Sequence, residues 1–206
     1  MPNWCNNNLI LKHEDPAMIQ RAYDALERSE FLNEFIPVPQ ELKDTVSGFY
    51  GDPAEQAKLE AQTRSNIEKY GYSNWYDYCV GEWGTKWDVG EQGASDIHPD
   101  GKTLHTSFDS AWAPPTLAYA KLEALGFKVE AMYYEGGMQF AGVYEDGCDE
   151  EASLDGMSAD AIEQTYPELD QCFGISESIR EYERENEEEL TAWIKDGKEK
   201  LGLVQG

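Results

Sequence analysis

The sequence predicts an α+β fold: a ferredoxin-like antiparallel sheet with helices on one face, a helical insertion and an acidic C-terminal helical extension. Three observations lead to this class. Short stretches alternate between apolar and polar residues with the period of two typical of half-buried strands. Segments with helical spacing lie between them and begin at Asp-Pro or Pro-Pro pairs. Finally, the chain becomes much more acidic from residue 145 onward.

The first predicted strand spans residues 5–13, with every second residue from Cys5 onward on one face. Asp15 then precedes Pro16, and an N-cap followed by proline is typical of a helix start. Apolar residues at helical spacing continue this helix to about residue 28.

A helical insertion is predicted over about residues 44–73. Its main helix begins at an Asp-Pro pair at 52–53 and ends at Gly71, because glycine is favoured just after a helix. The next segments are predicted as a short helix at 74–83, a strand at 85–89 and a loop at 90–101.

The second half of the sheet is predicted from three further alternating stretches. They cover residues 103–110, 127–134 and 139–145. A helix that starts at Pro114-Pro115 separates the first two, and a glycine-containing hairpin turn at 135–137 joins the last two. With the first strand and helix, they fit two β-α-β halves that pair antiparallel.

Negative charge is concentrated in the C-terminal part of the chain. There are 41 acidic and 16 basic residues, for a net charge of −25. Residues 145–206 hold 19 acidic and five basic residues, a net of −14. We therefore expect a ferredoxin-like domain at 1–146 and an acidic helical extension at 147–206 that packs on it.

The extension is expected to contain a loop, a helix near 158–166 and a long helix at about 176–201. Apolar residues at helical spacing predict a stripe on the long helix that packs on the domain. Its members are Ile175, Ile179, Tyr182, Trp193, Ile194 and Leu201.

This charge argues against direct binding to nucleic acid, which requires a basic face, and against docking to anionic lipid. It favours a basic partner, such as a protein whose natural ligand is DNA or RNA. No apolar run is long enough to span a membrane and no export signal is visible, so the host cytoplasm is the expected location. The four cysteines are scattered and expected to be reduced there, and the oligomeric state is left open.

Neither a metal nor a cofactor is predicted. The three histidines show no zinc-binding spacing, and the acidic run at 145–151 lacks the ligand pattern of an EF-hand. The glycine-rich segments match no phosphate-binding loop. A nucleophilic site of Cys79, His105 and Asp109 is conceivable, but a buried and inert Cys79 is favoured by its apolar surroundings.

Five aromatic residues fall within positions 75–87, with Trp4 and Trp112 outside this segment. An aromatic core is the favoured interpretation, because stacking platforms for bases normally carry more basic residues. The alternative is a cleft for a small ligand or an enzymatic reaction. Its candidate residues are Trp75, Asp77, Trp83, Trp87, His105 and Asp109.

Glutamates recur at helical spacing along one face of the long C-terminal helix. Residues four apart rise by ~6 Å, so such a row can imitate a row of phosphates. The other interpretation is a solubilising acidic face, and both stay open. The predicted partner-binding residues are Glu177, Glu181, Glu185 and Glu188, with Asp146, Asp149, Glu150 and Glu151.

Three stretches together resemble the YubB-like family of plasmid- and phage-borne proteins. They are MPNWCNNNL at 1–9, NWYDYCVGEWGTKWD at 74–88, and FDSAWAPP at 108–115 continuing to YYEGGMQFAG at 133–142. The resemblance spans about residues 1–147 and implies a ferredoxin-like domain in a mobile-element setting. It implies no reaction and no catalytic residues, and it does not extend to the acidic C-terminal region.

Charge and resemblance together favour a non-enzymatic interaction protein of a phage or plasmid. It would bind and block a basic, nucleic-acid-binding host defence protein, of the CRISPR or restriction type, by DNA mimicry. The alternatives are the small-ligand or enzyme cleft and a structural domain with a solubilising acidic face.

Overall fold

The computed structural model describes residues 3–49, 51–90 and 93–200, with side chains described as far as Ile194. The chain forms two compact units that divide after Ser153. The first unit has the predicted α+β class. It is an open, six-stranded antiparallel sheet with helices, in the strand order β2-β3-β1-β4-β5-β6. The strands are β1 (Trp4–Lys12), β2 (Asp96–Ile97), β3 (Thr103–Ala111), β4 (Lys128–Glu135), β5 (Phe140–Glu145) and β6 (Cys148–Ser153).

The central strand β1 pairs antiparallel with β3 on one side and with β4 on the other. As a result β3 and β4 run parallel to each other, with β1 between them. The helix that joins β3 to β4 completes a split β-α-β unit, the element from which ferredoxin-like sheets are built. This arrangement confirms the predicted antiparallel sheet.

Six helices among the described residues belong to the first unit. The caps predicted from sequence begin two of them, because Asp15 accepts from the backbone of Ala17 and Asp52 from that of Ala54. The helices are α1 (Pro16–Glu27), α2 (Phe31–Phe35), α3 (Gln40–Lys43), α4 (Pro53–Tyr70), α5 (Trp75–Trp83) and α6 (Thr116–Ala124).

One face of the sheet carries the hydrophobic core. The odd-numbered residues of β1 from Cys5 to Leu11 are all buried, whereas Trp4, Asn6 and Asn8 are exposed. This face of the sheet also buries polar side chains, and one of them, Asn7, donates to the Ser110 hydroxyl at 2.8 Å. The helices therefore cover one face of the sheet, and the other face is open.

Two local predictions in the first unit are wrong. Residues 85–89 do not form a strand, because the side chains of Thr85 and Asp88 bind backbone groups elsewhere and hold this segment as a loop. Instead, the two residues of β2 pair with β3 inside the segment predicted as a loop. Two short helices that the sequence analysis does not predict, α2 and α3, also precede α4.

The sheet domain also extends beyond the boundary predicted at residue 146. Residues 148–153 form β6, an edge strand paired with β5, so the sheet domain extends to Ser153. Acidic composition suggested a loop there, but an exposed edge strand accommodates charged side chains and is protected by them from further pairing.

The second unit consists of α7 (Ala159–Thr165), α8 (Pro167–Phe173) and α9 (Ile175–Lys200). Arg180 of α9 is paired with Asp160 and Glu163 of α7, at 2.8 and 2.6 Å. Ile175 and Ile162 are buried where these helices meet. The predicted packing of this unit on the sheet domain stays a prediction.

The apolar stripe on α9 is buried only at its start, where Ile175 is buried and Ile179 is half-buried. Tyr182 is 67% exposed, Trp193 is 73% exposed and Ile194 is 41% exposed. The reason lies in the lengths of the helices, since α9 has 26 residues and α7 and α8 have seven each. At 1.5 Å per residue, α9 is ~39 Å long against ~10 Å for each partner, so they cover only its beginning. Leu201 lies outside the described residues.

Candidate functional site

A groove in the first unit has a volume of about 420 Å³ and lies where α5 and the following loop meet the start of α2. Three of the predicted cleft residues, Trp75, Trp83 and Trp87, line it together. The other lining residues are Ser29, Glu30, Asn33, Val38, Lys43, Cys79, Lys86 and Asp88.

The loop at 84–89 is held in place at both ends. Gly84 ends α5 in the left-handed conformation at φ +87°, which allows the chain to turn sharply. Thr85 then donates its hydroxyl hydrogen to the carbonyl of Ala111 at 2.9 Å. At the other end, the Asp88 carboxylate accepts from the backbone N–H groups of α2. Lys86 and Trp87 are thus presented to the groove from a fixed backbone.

Trp83 is the buried floor of the groove. It is 3% exposed, belongs to the core cluster and donates its indole N–H to the carbonyl of Ile36 at 3.0 Å. Trp87 and Trp112 are 38% and 42% exposed, so the favoured interpretation of an aromatic core is right for Trp83 and wrong for these two. They lie at the surface because their rings flank a lysine rather than the core.

The ammonium group of Lys86 lies among three aromatic rings. Its Nζ is 4.5 Å from the ring centre of Trp87, 4.8 Å from that of Trp112 and 5.9 Å from that of Tyr76. Trp112 is held there with a left-handed φ of 73°, which is strained for a residue with a bulky side chain. Trp4 extends this exposed aromatic group, with its ring centre 5.9 Å from that of Trp87.

The carboxyl group of Asp88 has a raised pKa. Burial raises the pKa of its carboxyl from 3.8 to about 6, although three backbone N–H groups bind the ionised form and act in the opposite direction. The donors are the amides of Leu32, Asn33 and Val89, at 2.7 to 2.8 Å. Both carboxylate oxygens are therefore engaged in holding the loop and α2 together.

The remaining predicted cleft residues do not join the groove. Asp77 is exposed at the start of α5, where it accepts a hydrogen bond from Ser73. His105 and Asp109 alternate with the buried residues of β3 and therefore lie on the open face of the sheet. Asp109 accepts from the Asn6 side chain at 2.6 Å.

These placements separate Cys79 from His105 and Asp109. Cys79 is 3% exposed, and burial raises the pKa of its thiol to about 12, so it is almost entirely protonated at neutral pH. The prediction that Cys79 is buried is confirmed.

The acidic residues predicted to bind a partner lie in both units. Asp146, Asp149, Glu150 and Glu151 are exposed at the β5–β6 hairpin, and Asp149 accepts the Tyr133 hydroxyl hydrogen at 2.7 Å. Glu177, Glu181, Glu185 and Glu188 are exposed on α9. Since the two sets belong to different compact units, their joint binding of one partner stays a prediction.

Within the described part of the chain, no group of three or more His, Cys, Asp and Glu side chains is placed to hold a metal ion. None of the helices found there is both long and apolar enough to cross a membrane.

No protein-family model matches the chain, and no curated protein matches it. The crystal structure of the api92 protein from Yersinia pseudotuberculosis, which belongs to the family DUF1281, is similar to 74% of this chain and to 99% of its own. The sequence identity is 13% and the TM-score is 0.43. A likeness at this level supports no functional inference, and the resemblance to the YubB-like family stays a prediction.

Proposed function

We propose that this is an acidic, non-enzymatic interaction protein that binds a basic, nucleic-acid-binding protein and blocks its nucleic-acid site. In this proposal the partner is a host defence protein of the CRISPR or restriction type, and the protein comes from a phage or plasmid and acts in the host cytoplasm. Binding relies on carboxylates that stand where the phosphates of the natural ligand would lie, with electrostatic steering of the encounter.

The observation that supports the proposal best is the row of four glutamates on α9. At about 100° per residue, Glu177, Glu181, Glu185 and Glu188 lie within a narrow sector of the helix, and all four are exposed. Of these, only Glu181 has an ion-pair partner among the side chains described, namely Arg184 at 3.4 Å. The other three carboxylates are thus available to a basic partner.

The apolar residues of α9 lie on the opposite side of the helix from this row.

Like charges along one face of a helix destabilise it by ~0.2–0.5 kcal/mol per pair. A sequence under selection only for stability would intersperse lysines, whereas Glu187, Glu188 and Glu189 add further negative charge. This supports a role for the acidity that goes beyond helix formation.

The proposal is tested by displacement of DNA from a purified restriction endonuclease or CRISPR effector held on a fluorescent duplex. The protein is expected to release the duplex in a concentration-dependent manner. A variant with all four α9 glutamates replaced by lysine is expected to lose this activity.

The matched control reverses four exposed acidic residues of the sheet domain, Asp24, Glu55, Glu60 and Glu68, and so changes the net charge by the same amount. It is expected to displace DNA nearly as well as the unmodified protein. Equal loss in both variants would mean that only net charge matters, and no displacement by the unmodified protein from any such effector would contradict the proposal.

A further inference from the structure

The groove of the sheet domain is lined by two lysines that have no carboxylate within ion-pair distance among the described residues. Of the 13 Lys and Arg side chains described between residues 3 and 194, ten lie within ion-pair distance of a carboxylate. The three that do not are Lys43, Arg64 and Lys86. Two of these three, Lys43 and Lys86, line the same groove.

This is notable because acidic residues outnumber basic ones 41 to 16 in the chain. With so many carboxylates available, a lysine placed only for solubility would usually have one nearby. The described surroundings of Lys86 are instead aromatic, with Trp87 and Trp112 rings within 5 Å of its ammonium group. The groove therefore keeps two cationic groups uncompensated.

The two carboxylates that line the groove do not cancel this charge. Both oxygens of Asp88 accept backbone N–H groups, at 2.7 and 2.8 Å from Leu32 and Asn33. Glu30 lies 3.7 Å from the guanidinium of Arg28. Each carboxylate thus has its own positive or donor partner, whereas Lys43 and Lys86 have none among the described carboxylates.

The groove walls favour a flat ligand. Trp83 is fixed by its hydrogen bond to Ile36, and Trp75 and Trp87 line the groove beside it. Indole faces stack on planar rings regardless of the ring's exact identity. The volume of about 420 Å³ lies at the small end of the range for small-molecule sites, ~300–1,000 Å³.

We propose that this groove binds a planar aromatic anion of mononucleotide size, with its ring against Trp75 and Trp87 and its anionic group at Lys43 and Lys86. A longer nucleic acid is disfavoured, because each added phosphate meets the negative field of the whole protein. This proposal does not depend on the one above, since the groove lies in the sheet domain and the glutamate row lies on α9.

The test is isothermal titration calorimetry of the full chain with AMP. Adenosine, which lacks the phosphate, and ribose 5-phosphate, which lacks the ring, serve as ligand controls. We expect AMP to bind with a Kd below about 1 mM, and each control to bind at least ~10-fold more weakly.

The matched variants are Lys43→Met, Lys86→Met and Arg64→Met. Methionine keeps an aliphatic side chain but removes the charge, and neither groove lysine forms an ion pair in the described structure, so the fold should be retained; circular dichroism checks this. Both lysine variants are expected to weaken AMP binding about 10-fold or more. Arg64→Met removes the third uncompensated cation, which lies outside the groove, and should leave binding unchanged.

Three results would overturn the proposal. These are the absence of AMP binding at millimolar concentration, binding of adenosine or ribose 5-phosphate as tight as that of AMP, and unchanged AMP affinity in either lysine variant. An equal loss of AMP affinity in Arg64→Met would also overturn it, because the affinity would then depend on net charge and not on the lysines of this groove.

Discussion

The carboxylate of Asp88 accepts a hydrogen bond from the backbone N–H of Leu32 at 2.7 Å. The two residues are 56 positions apart in the chain. Its second oxygen accepts from the next amide of α2, so one side chain connects the loop at 84–89 to the helix that forms the opposite wall of the groove. The shape of the groove therefore depends on this carboxylate.

Replacing Asp88 by alanine should lower the free energy of unfolding by about 1–3 kcal/mol, because the buried amides of α2 lose their acceptor. Urea unfolding at pH 7, followed by tryptophan fluorescence, measures this change. Asp109→Ala is the control, since Asp109 binds only the exposed Asn6 side chain and should cost less than ~1 kcal/mol. Equal stability of the two variants would contradict the connecting role of Asp88.

The pKa of Asp88 predicts a specific pH dependence. In the unfolded chain this carboxyl loses its proton near pH 3.8, whereas in the folded protein it does so near pH 6. Between these values the folded state binds the additional proton, so the contribution of Asp88 to stability falls as the pH rises. The stability of the unmodified protein minus that of Asp88→Asn should therefore decrease from about pH 4 to about pH 6 and then level off. A constant or rising difference would show that the pKa is not raised.

Two tryptophans in one motif should differ in their contribution to stability. Trp83→Ala should lower the free energy of unfolding by about 3–5 kcal/mol, because it leaves a cavity in the core. Trp87 is 38% exposed, so Trp87→Ala should cost less than ~2 kcal/mol, since only part of its surface is buried. Thermal unfolding of both variants gives the comparison, and a reversed order would contradict the assignment of floor and wall.

The exposed stripe on α9 leads to a similar comparison within one helix. Trp193→Ala should change the free energy of unfolding by less than ~0.5 kcal/mol, because its ring is 73% exposed. Ile175 at the start of the helix is buried, and Ile175→Ala should cost about 2–5 kcal/mol. A large loss for Trp193→Ala, measured by urea unfolding, would mean that the stripe is covered in solution.

Most of the sheet domain could be predicted because its strands and helices are marked by patterns among neighbouring residues of the sequence. The alternation from Cys5 to Leu11 and the caps at Asp15 and Asp52 correspond directly to β1, α1 and α4. The strands that were missed lack such patterns: β2 has two residues, and β6 is acidic on both faces. Their formation depends on hydrogen bonds to β3 and β5, which no local pattern contains.

The groove was only partly predictable. Trp75, Trp83 and Trp87 stand out in the sequence, and Lys86 and Asp88 lie in the same segment. The opposite wall, from Ser29 to Lys43, reaches them only through the packing of α2 and α3. His105 and Asp109 are among the predicted alternative cleft residues, but they alternate with the buried residues of β3 and lie on the open face of the sheet, away from the groove.

The proposal that the glutamate row on α9 recognises a basic partner is tested most directly by the association rate constant as a function of salt. The measurement uses surface plasmon resonance, and the partner is a nucleic-acid-binding effector that the protein displaces from DNA. The unmodified protein is compared with the variant that has lysine at 177, 181, 185 and 188. Because salt shortens the Debye length, to about 8 Å at physiological ionic strength, association of the unmodified protein should slow as salt rises. The lysine variant should associate more slowly at low salt, with a smaller change in dissociation than in association. Association that is independent of salt and equal in both proteins would show that the acidic helix serves solubility alone and would contradict the proposed function.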